Sequence, residues 1–390
     1  MPEIEGIAQE EVLLIDDELW EELIDLTDGA AALCYQCGVC TATCPWGAVK
    51  KEPLTVRTLI RQAQLGLQRE NGDLWLCTTC AQCEALCPRG VDIPQVIRSL
   101  RNLAWDRRDT EEGLPSLLWS LFWNNNPWDQ PPSQRAVWAK DLNIPEFDSQ
   151  LHEVLLYIGC TSSYDQRAQK IAIALTQVLN SAGVQFGTLG EEEPCCGEAA
   201  LSVGHKGYFD ELAAQTGHIF QERGVTKIVT ISPHCYDVFQ NHYPDISQDF
   251  KPLHYTQYLA RLLDEGRLTF NQPLEQPVTY QDPCYLGRIN GEYAAPRQIL
   301  SAIPGVQLLE MEYSAEEGLC CGGGGGRMWL ETPPGERFSD LRIEQAEQSG
   351  ANLLATACPF CVTCLEDSIK SQPSNHMHVL DIAEIAAQAL

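Results

Sequence analysis

Eight cysteines fall in two blocks of identical spacing, Cys34-x2-Cys37-x2-Cys40-x3-Cys44-Pro45 and Cys77-x2-Cys80-x2-Cys83-x3-Cys87-Pro88. This spacing suits iron–sulfur chemistry. The close triplet wraps three thiolates around three irons of a cubane, and the fourth cysteine crosses to the other block's cluster. Cluster one would then use Cys34, Cys37, Cys40 and Cys87, and cluster two Cys77, Cys80, Cys83 and Cys44. Proline after the fourth cysteine turns the chain away. Paired zinc sites are the competing reading of any cysteine cluster, but two full copies of the pattern favour an electron relay.

A second set is less ordinary. Residues 284–361 read Cys284-x35-Cys320-Cys321-x36-Cys358-x2-Cys361. Adjacent cysteines cannot easily serve separate corners of a cubane, and five thiolates exceed the four that one needs. The pattern therefore predicts a non-standard cluster. Residues 160–235 give Cys160-x34-Cys195-Cys196-x38-Cys235, with Val238 where the fifth cysteine would stand. Those four thiolates suit an iron–sulfur cluster or zinc. His234, beside Cys235, is a candidate ligand or proton carrier. Cys364 has no counterpart and is read as spare. Gly322 to Gly326 permit close backbone approach and can aim N–H groups at sulfide or thiolate charge. Arg288 and Arg327 are candidates to offset an anionic cluster or hold a substrate, or else to form surface or structural ion pairs.

The elements that position these residues repeat. EVLLYIGC (153–160), VQFGTL, PCCG (194–197) and KIVTISPHC (227–235) are echoed by VTYQDPC (278–284), VQLLEM, LCCG (319–322) and NLLATACPFC (352–361). Helical patterns such as Gln166–Ala182 and Arg337–Ser349 lie between. Strands alternating with helices predict two α/β units with small parallel sheets. Ligands bind at the carboxyl ends of such strands, where these cysteines fall. The expected fold is therefore multidomain. An acidic N-terminal segment (1–28) leads to a mainly helical two-cluster domain (29–105) and a Pro/Trp-rich connector (106–150). A first α/β unit (151–272, degenerate at Val238) and a complete second unit (273–390) follow.

Composition bounds the rest. Of 390 residues, 26 are Lys or Arg and 54 Asp or Glu, a formal net charge of −28. That field repels nucleic-acid backbones and anionic headgroups. Residues 1–28 hold eleven acidic residues and no basic one, with apolar residues at amphipathic spacing. They read as a docked helix with a solvated acidic face, or as a docking arm for a basic partner. No run reaches the ~18 apolar residues of a membrane span, and the first residues lack a signal-peptide pattern. Eighteen cysteines in a reducing cytoplasm point to metal rather than disulfides. In the connector, Leu114–Trp128 reads as core or inter-domain packing, or as a partner or membrane-interface patch. No G-x-G-x-x-G joins a strand to a helix, which argues against flavin or nicotinamide in this chain.

CYQCGVCTATCPW, LWLCTTCAQCEALCPRGVD, SPHCYDVFQNHYP, DPCYLGR and LCCGGGGGRMW together resemble the heterodisulfide reductase catalytic-subunit family, in the form where a dicluster ferredoxin segment is fused to two CCG domains. The resemblance runs from residue ~30 to the end of the sequence. It implies a noncubane [4Fe–4S] cluster on Cys284, Cys320, Cys321, Cys358 and Cys361 as the reactive, catalytic centre. It also implies a flavoprotein or other redox subunit as partner in an electron-transfer complex, and a small disulfide or quinone as substrate. Two functions follow. One is a soluble, cytoplasmic or membrane-peripheral oxidoreductase subunit linking two cubanes to a noncubane cluster that acts on a disulfide, a quinone or a partner's centre. The other is a pure relay of the glycolate oxidase or anaerobic glycerol-3-phosphate dehydrogenase iron–sulfur-subunit type, with no substrate of its own. Val238 departs from the full pattern and puts a two-cluster disulfide mechanism in doubt.

Overall fold

The computed structural model describes residues 14–390 apart from 17, 50–53, 69–71, 245, 247 and 372–376. The acidic segment thus lies partly outside the described residues. Its described part pairs β1 (Leu14–Ile15) with β2 (Leu67–Gln68), antiparallel, and forms helix α1 (Leu19–Leu26). Leu19 and Leu23 are buried while Glu21 and Glu22 face water, so α1 docks by its apolar stripe. It packs on α2 (Val56–Gln64) and α3 (Ile93–Asp106). Asp92 caps α3 by accepting from the Gln95 N–H at 2.8 Å, and Pro94 occupies its first turn, where a missing N–H costs nothing. Helix α4 (Leu114–Asn124) buries Leu114, Leu117 and Leu121 but leaves Trp119, Phe122 and Trp123 61, 60 and 71 % exposed. The buried face fits the packing reading, and the exposed face carries three aromatic side chains.

Two four-stranded, all-parallel sheets follow. The first comprises β3 (Val154–Tyr157), β4 (Phe186–Gly187), β5 (Lys227–Thr230) and β6 (Lys251–His254), in the order β4-β3-β5-β6. The second comprises β7 (Pro277–Gln281), β8 (Gln307–Leu308), β9 (Leu353–Thr356) and β10 (His378–Asp381), in the matching order β8-β7-β9-β10. Central strands such as β3 and β9 are buried on both faces, as parallel sheets require.

The repeat extends to the strand ends. His254 ends β6 and caps α6 (Tyr255–Asp264) in a capping box with Gln257, and Asp381 ends β10 and caps the last helix in a box with Glu384. Each box satisfies two orphan N–H groups. The helices also pack reciprocally. Helix α5 (Gln169–Ser181), after β3, lies on the last helix α8 (Ile382–Gln388), and α7 (Ala294–Ala302), after β7, lies on α6. One apolar core therefore runs through both units, from Leu175 and Val178 to Leu354 and Ile385, all at 0 % exposure. Among the described residues no helix is long and apolar enough to cross a membrane.

Candidate iron–sulfur sites

All eighteen cysteines are free thiols. Cys34, Cys37, Cys40 and Cys87 line one cavity, and Cys44, Cys77, Cys80 and Cys83 line another. The chain thus interlaces the two blocks, placing each block's fourth cysteine beside the other block's triplet. Short helices start just after the first cysteines, at Val39–Ala42 and Gln82–Ala85. Gly38 at φ +89° and Ala81 at φ +60° make the turns into them. Neighbouring donors face sulfur, with the Thr79 N–H 3.4 Å from Cys77 Sγ and Gln36 Nε2 3.6 Å from Cys34 Sγ. Burial, then the thiols of Cys77 and Cys80, push Cys44 up to about 12, and the same causes push Cys83 well up. Such crowded sulfurs ionise together only around a positive centre. Four thiols ringing a cavity suit a cluster of several irons, so the donor sets fit the cubane reading.

In the second α/β unit Cys284, Cys320, Cys321, Cys358 and Cys361 are all buried, and Cys364 is half-buried. Cys284 and Cys320 lie 3.8 Å apart, sulfur to sulfur, and Cys321 and Cys361 lie 3.2 Å apart. The Gly322 N–H points at Cys320 Sγ at 3.3 Å, the interaction expected of the glycine run. The next glycines do something else. A Cβ on Gly324 would sit 2.5 Å from the Thr78 carbonyl oxygen, and one on Gly325 2.2 Å from that of Cys77. They are a seam against the second cubane loop rather than a cluster cradle. Cys80, a residue of that loop, shares a thiol hydrogen bond with Cys320, which is the first cause of its upward shift.

Arg288 Nη1 donates to the Cys80 carbonyl at 3.0 Å, and Arg288 also bonds the Gly318 carbonyl. Burial opposes its charge, but the sulfurs of Cys80, Cys284 and Cys320 hold it protonated. Arg327 makes structural contacts. It bonds the Glu331 carbonyl and Thr332 Oγ1 of its own loop, at 3.1 and 2.7 Å, and lies over the Trp46 ring. Cys364 packs against Gly323.

In the first unit Cys160, Cys195, Cys196 and Cys235 line a cavity shared with Trp329 and Phe360 of the second. Cys196 and Cys235 lie 3.3 Å apart. Val238 is fully buried and takes no part in the cavity lining. His234 lines this same cavity and also reaches into the second unit. Its Nδ1 lies 3.1 Å from Glu198 Oε1, its ring stacks on Tyr285 at 3.9 Å, and it hydrogen-bonds Cys358 of the second unit. Burial raises the Cys358 thiol, but hydrogen bonds from Cys361 and His234 hold it down to about 5.

Two functional residues escape a reading by spacing. Arg135, in the connector, pairs with Glu193 at 3.0 Å and donates to Cys160 Sγ at 3.2 Å. Burial works against its charge, and Cys160 and Glu193 overcome it. Arg101, on α3, has no exposed surface and donates to the carbonyls of Leu74, Cys77, Ser202 and Gly325. One guanidinium thereby joins the dicluster region to both α/β units. An arginine amid the apolar positions of α3 was the available signal.

Known proteins share this architecture. Residues 30–91 match a 4Fe-4S dicluster domain, and residues 154–240 and 278–366 each match the CCG cysteine-rich domain. The chain is 38% identical over 307 residues to the probable iron-sulfur-binding oxidoreductase FadF of Bacillus subtilis, covering 76% of this chain and 44% of the relative. It is 36% identical over 312 residues to the EtfAB:quinone oxidoreductase of Syntrophomonas wolfei, with the same coverage. It is 34% identical over 273 residues to one of the subunits of the dihydromethanophenazine:CoB–CoM heterodisulfide reductase of Methanosarcina barkeri, covering 68% of this chain and 65% of that relative. The chain belongs to this family of iron–sulfur oxidoreductases, which join a 4Fe-4S dicluster domain to paired CCG domains. It spans less than half of the first two relatives' length.

Proposed function

We propose that the chain is an electron-transfer subunit of an oxidoreductase complex. Cubanes on Cys34, Cys37, Cys40, Cys87 and on Cys77, Cys80, Cys83, Cys44 link a redox partner to a noncubane [4Fe–4S] centre on Cys284, Cys320, Cys321, Cys358 and Cys361. Bound clusters supply one-electron storage at potentials that the protein tunes. The observation that carries the reading is the contact of the Cys77–Cys83 loop with the second unit, where Arg288 donates to the Cys80 carbonyl at 3.0 Å and Thr79 Oγ1 bonds the Tyr285 hydroxyl at 2.7 Å. Around that meeting, Arg288 holds positive charge beside the sulfurs, Gly324 and Gly325 allow close approach, and Arg101 clamps the three carbonyl-bearing loops. The units serving these sites are 29–105, 151–272 and 273–390. A disulfide, a quinone or a partner's redox centre is the substrate class, by analogy with the named activities of the relatives.

A second reading rests on Val238, fully buried where a fifth thiol would stand. It makes the first unit a structural or relay site, holding zinc or a cluster on Cys160, Cys195, Cys196 and Cys235. Iron, acid-labile sulfide and zinc are measured per anaerobically prepared chain, with EPR across a redox titration. About 12 irons, with either four more or one zinc for the first unit, is the expected result. About 8 irons leaves a two-cubane ferredoxin with inert units and overturns the proposal.

A further inference from the structure

The first cubane site opens on a patch whose charge opposes that of the whole molecule. A cleft of about 930 Å³ runs beside it, lined by Trp20, Cys34, Tyr35, Arg57, Arg61 and Leu65 among others. The cavity of Cys34, Cys37, Cys40 and Cys87 shares Cys34, Tyr35 and Arg57 with this cleft and adds Arg89. Neither lining contains an Asp or Glu. In a chain with 54 acidic and 26 basic residues this is a local inversion. Arg57, Arg61 and Arg89 are all exposed, and none forms an ion pair among the described residues. Cys37 is exposed, while the thiols of the second α/β unit's five-cysteine set are buried. Tyr35 and Leu65 add apolar rim at 60 and 47 % exposure.

We infer that this mouth is the docking site for an electron-transfer protein whose own redox centre is ringed by carboxylates. The overall charge favours a basic partner, but at physiological salt charges beyond ~8 Å are screened. The residues at the contact therefore decide the fit, and here they are three guanidiniums around an apolar patch. Complementary charge raises association rate and fixes orientation. The inference rests on the proposed cubane at Cys34, Cys37, Cys40 and Cys87.

The test uses anaerobic holoprotein with two probes, an acidic plant-type [2Fe–2S] ferredoxin and a basic mono-haem cytochrome. Affinity for a redox-inert, gallium-substituted form of the acidic probe is measured by calorimetry against ionic strength, and electron exchange with the native probes by stopped flow. For Arg57→Glu/Arg61→Glu the low-salt affinity and rate with the acidic probe are expected to fall about tenfold or more. Arg57→Lys/Arg61→Lys keeps both, and Arg89→Glu repeats the loss from the other side of the mouth. High salt erases the differences, and the basic probe loses nothing. Unchanged affinity for the acidic probe in the Glu variants, or a loss confined to the basic probe, overturns the docking site. Iron content and the cubane EPR signals are recorded on the same samples. Missing cubane signals in the unsubstituted protein would refute the underlying reading, whereas intact signals with unchanged affinity refute only the docking.

Discussion

His234 shows how one side chain can serve a site in the neighbouring unit. It follows a helix-capping Ser232 in the first α/β unit, yet it bonds Cys358 in the second and is held by Glu198 from behind. Hydrogen bonds to a cluster's sulfur ligands raise its reduction potential. Replacing His234 with Phe keeps the stacking surface against Tyr285 and removes the donor. The EPR-monitored midpoint of the second unit's cluster is then expected to drop by on the order of 50 mV, with iron content retained. An unmoved midpoint would reduce His234 to packing. From sequence, this histidine was placed with Cys235, its neighbour in the chain. The partner that matters lies 124 residues on, and no spacing rule connects the two. The same holds for Arg135, which sits in a proline-rich connector and reaches Cys160 only through the fold.

At the scale of elements, the two units proved legible wherever a strand carried a cysteine. The runs at 153–160, 227–235 and 352–361 contain β3, β5 and β9, the run at 278–284 covers all of β7 but its first residue, and the helical patterns at 166–182 and 337–349 contain Gln169–Ser181 and Phe338–Gln348. The fourth strand of each sheet was not read, because KPLH and HVLD are four residues each and run directly into a helix. Their identity lies in the caps that close them. His254 is fully buried, its Nε2 donating to the Ile231 carbonyl at 3.1 Å and its Nδ1 accepting from Thr256 Oγ1 at 2.7 Å. Burial holds it down to about 3, against an ordinary 6.5. The folded protein thus binds fewer protons here than the unfolded chain. The stability is present above pH ~6.5 and drains away as the pH falls from there towards 3, by up to ~1.4 kcal/mol per pH unit. Denaturant midpoints measured across that window are expected to flatten in His254→Asn, whose side chain keeps the cap without the titration. An unaltered acid limb would assign it to other groups.

For the whole molecule, Arg101 does what no domain boundary in the sequence suggested. Its donors end on carbonyls at positions 74, 77, 202 and 325, so the dicluster region and both α/β units share one buried cation. Burial lowers its pKa to about 10, which leaves it charged at neutral pH. Arg101→Met fills similar volume but strands those carbonyls away from water. A loss of more than about 3 kcal/mol is expected, read as a shift in the unfolding midpoint of the holoprotein. Arg101→Lys reaches fewer of the acceptors and falls between. A full-strength Arg101→Met protein would mean that the three parts associate through apolar contact alone.

The glycine seam carries a consequence for how such a protein is born. Gly324 and Gly325 press on the carbonyls of Thr78 and Cys77, which closes the side of the Cys77–Cys83 loop that faces the second α/β unit. A cofactor of many atoms does not diffuse through a seal that has no room for a methyl group. Loading from that side is therefore expected to precede closure of the seam. Apoprotein allowed to pack before iron and sulfide arrive is expected to mature more slowly than chain that meets them while refolding, and the growth of visible cluster absorbance measures the difference. Oxygen and chelators meet the same seam from outside, so a cluster on Cys44, Cys77, Cys80 and Cys83 is expected to outlast one on Cys34, Cys37, Cys40 and Cys87, where Cys37 is exposed.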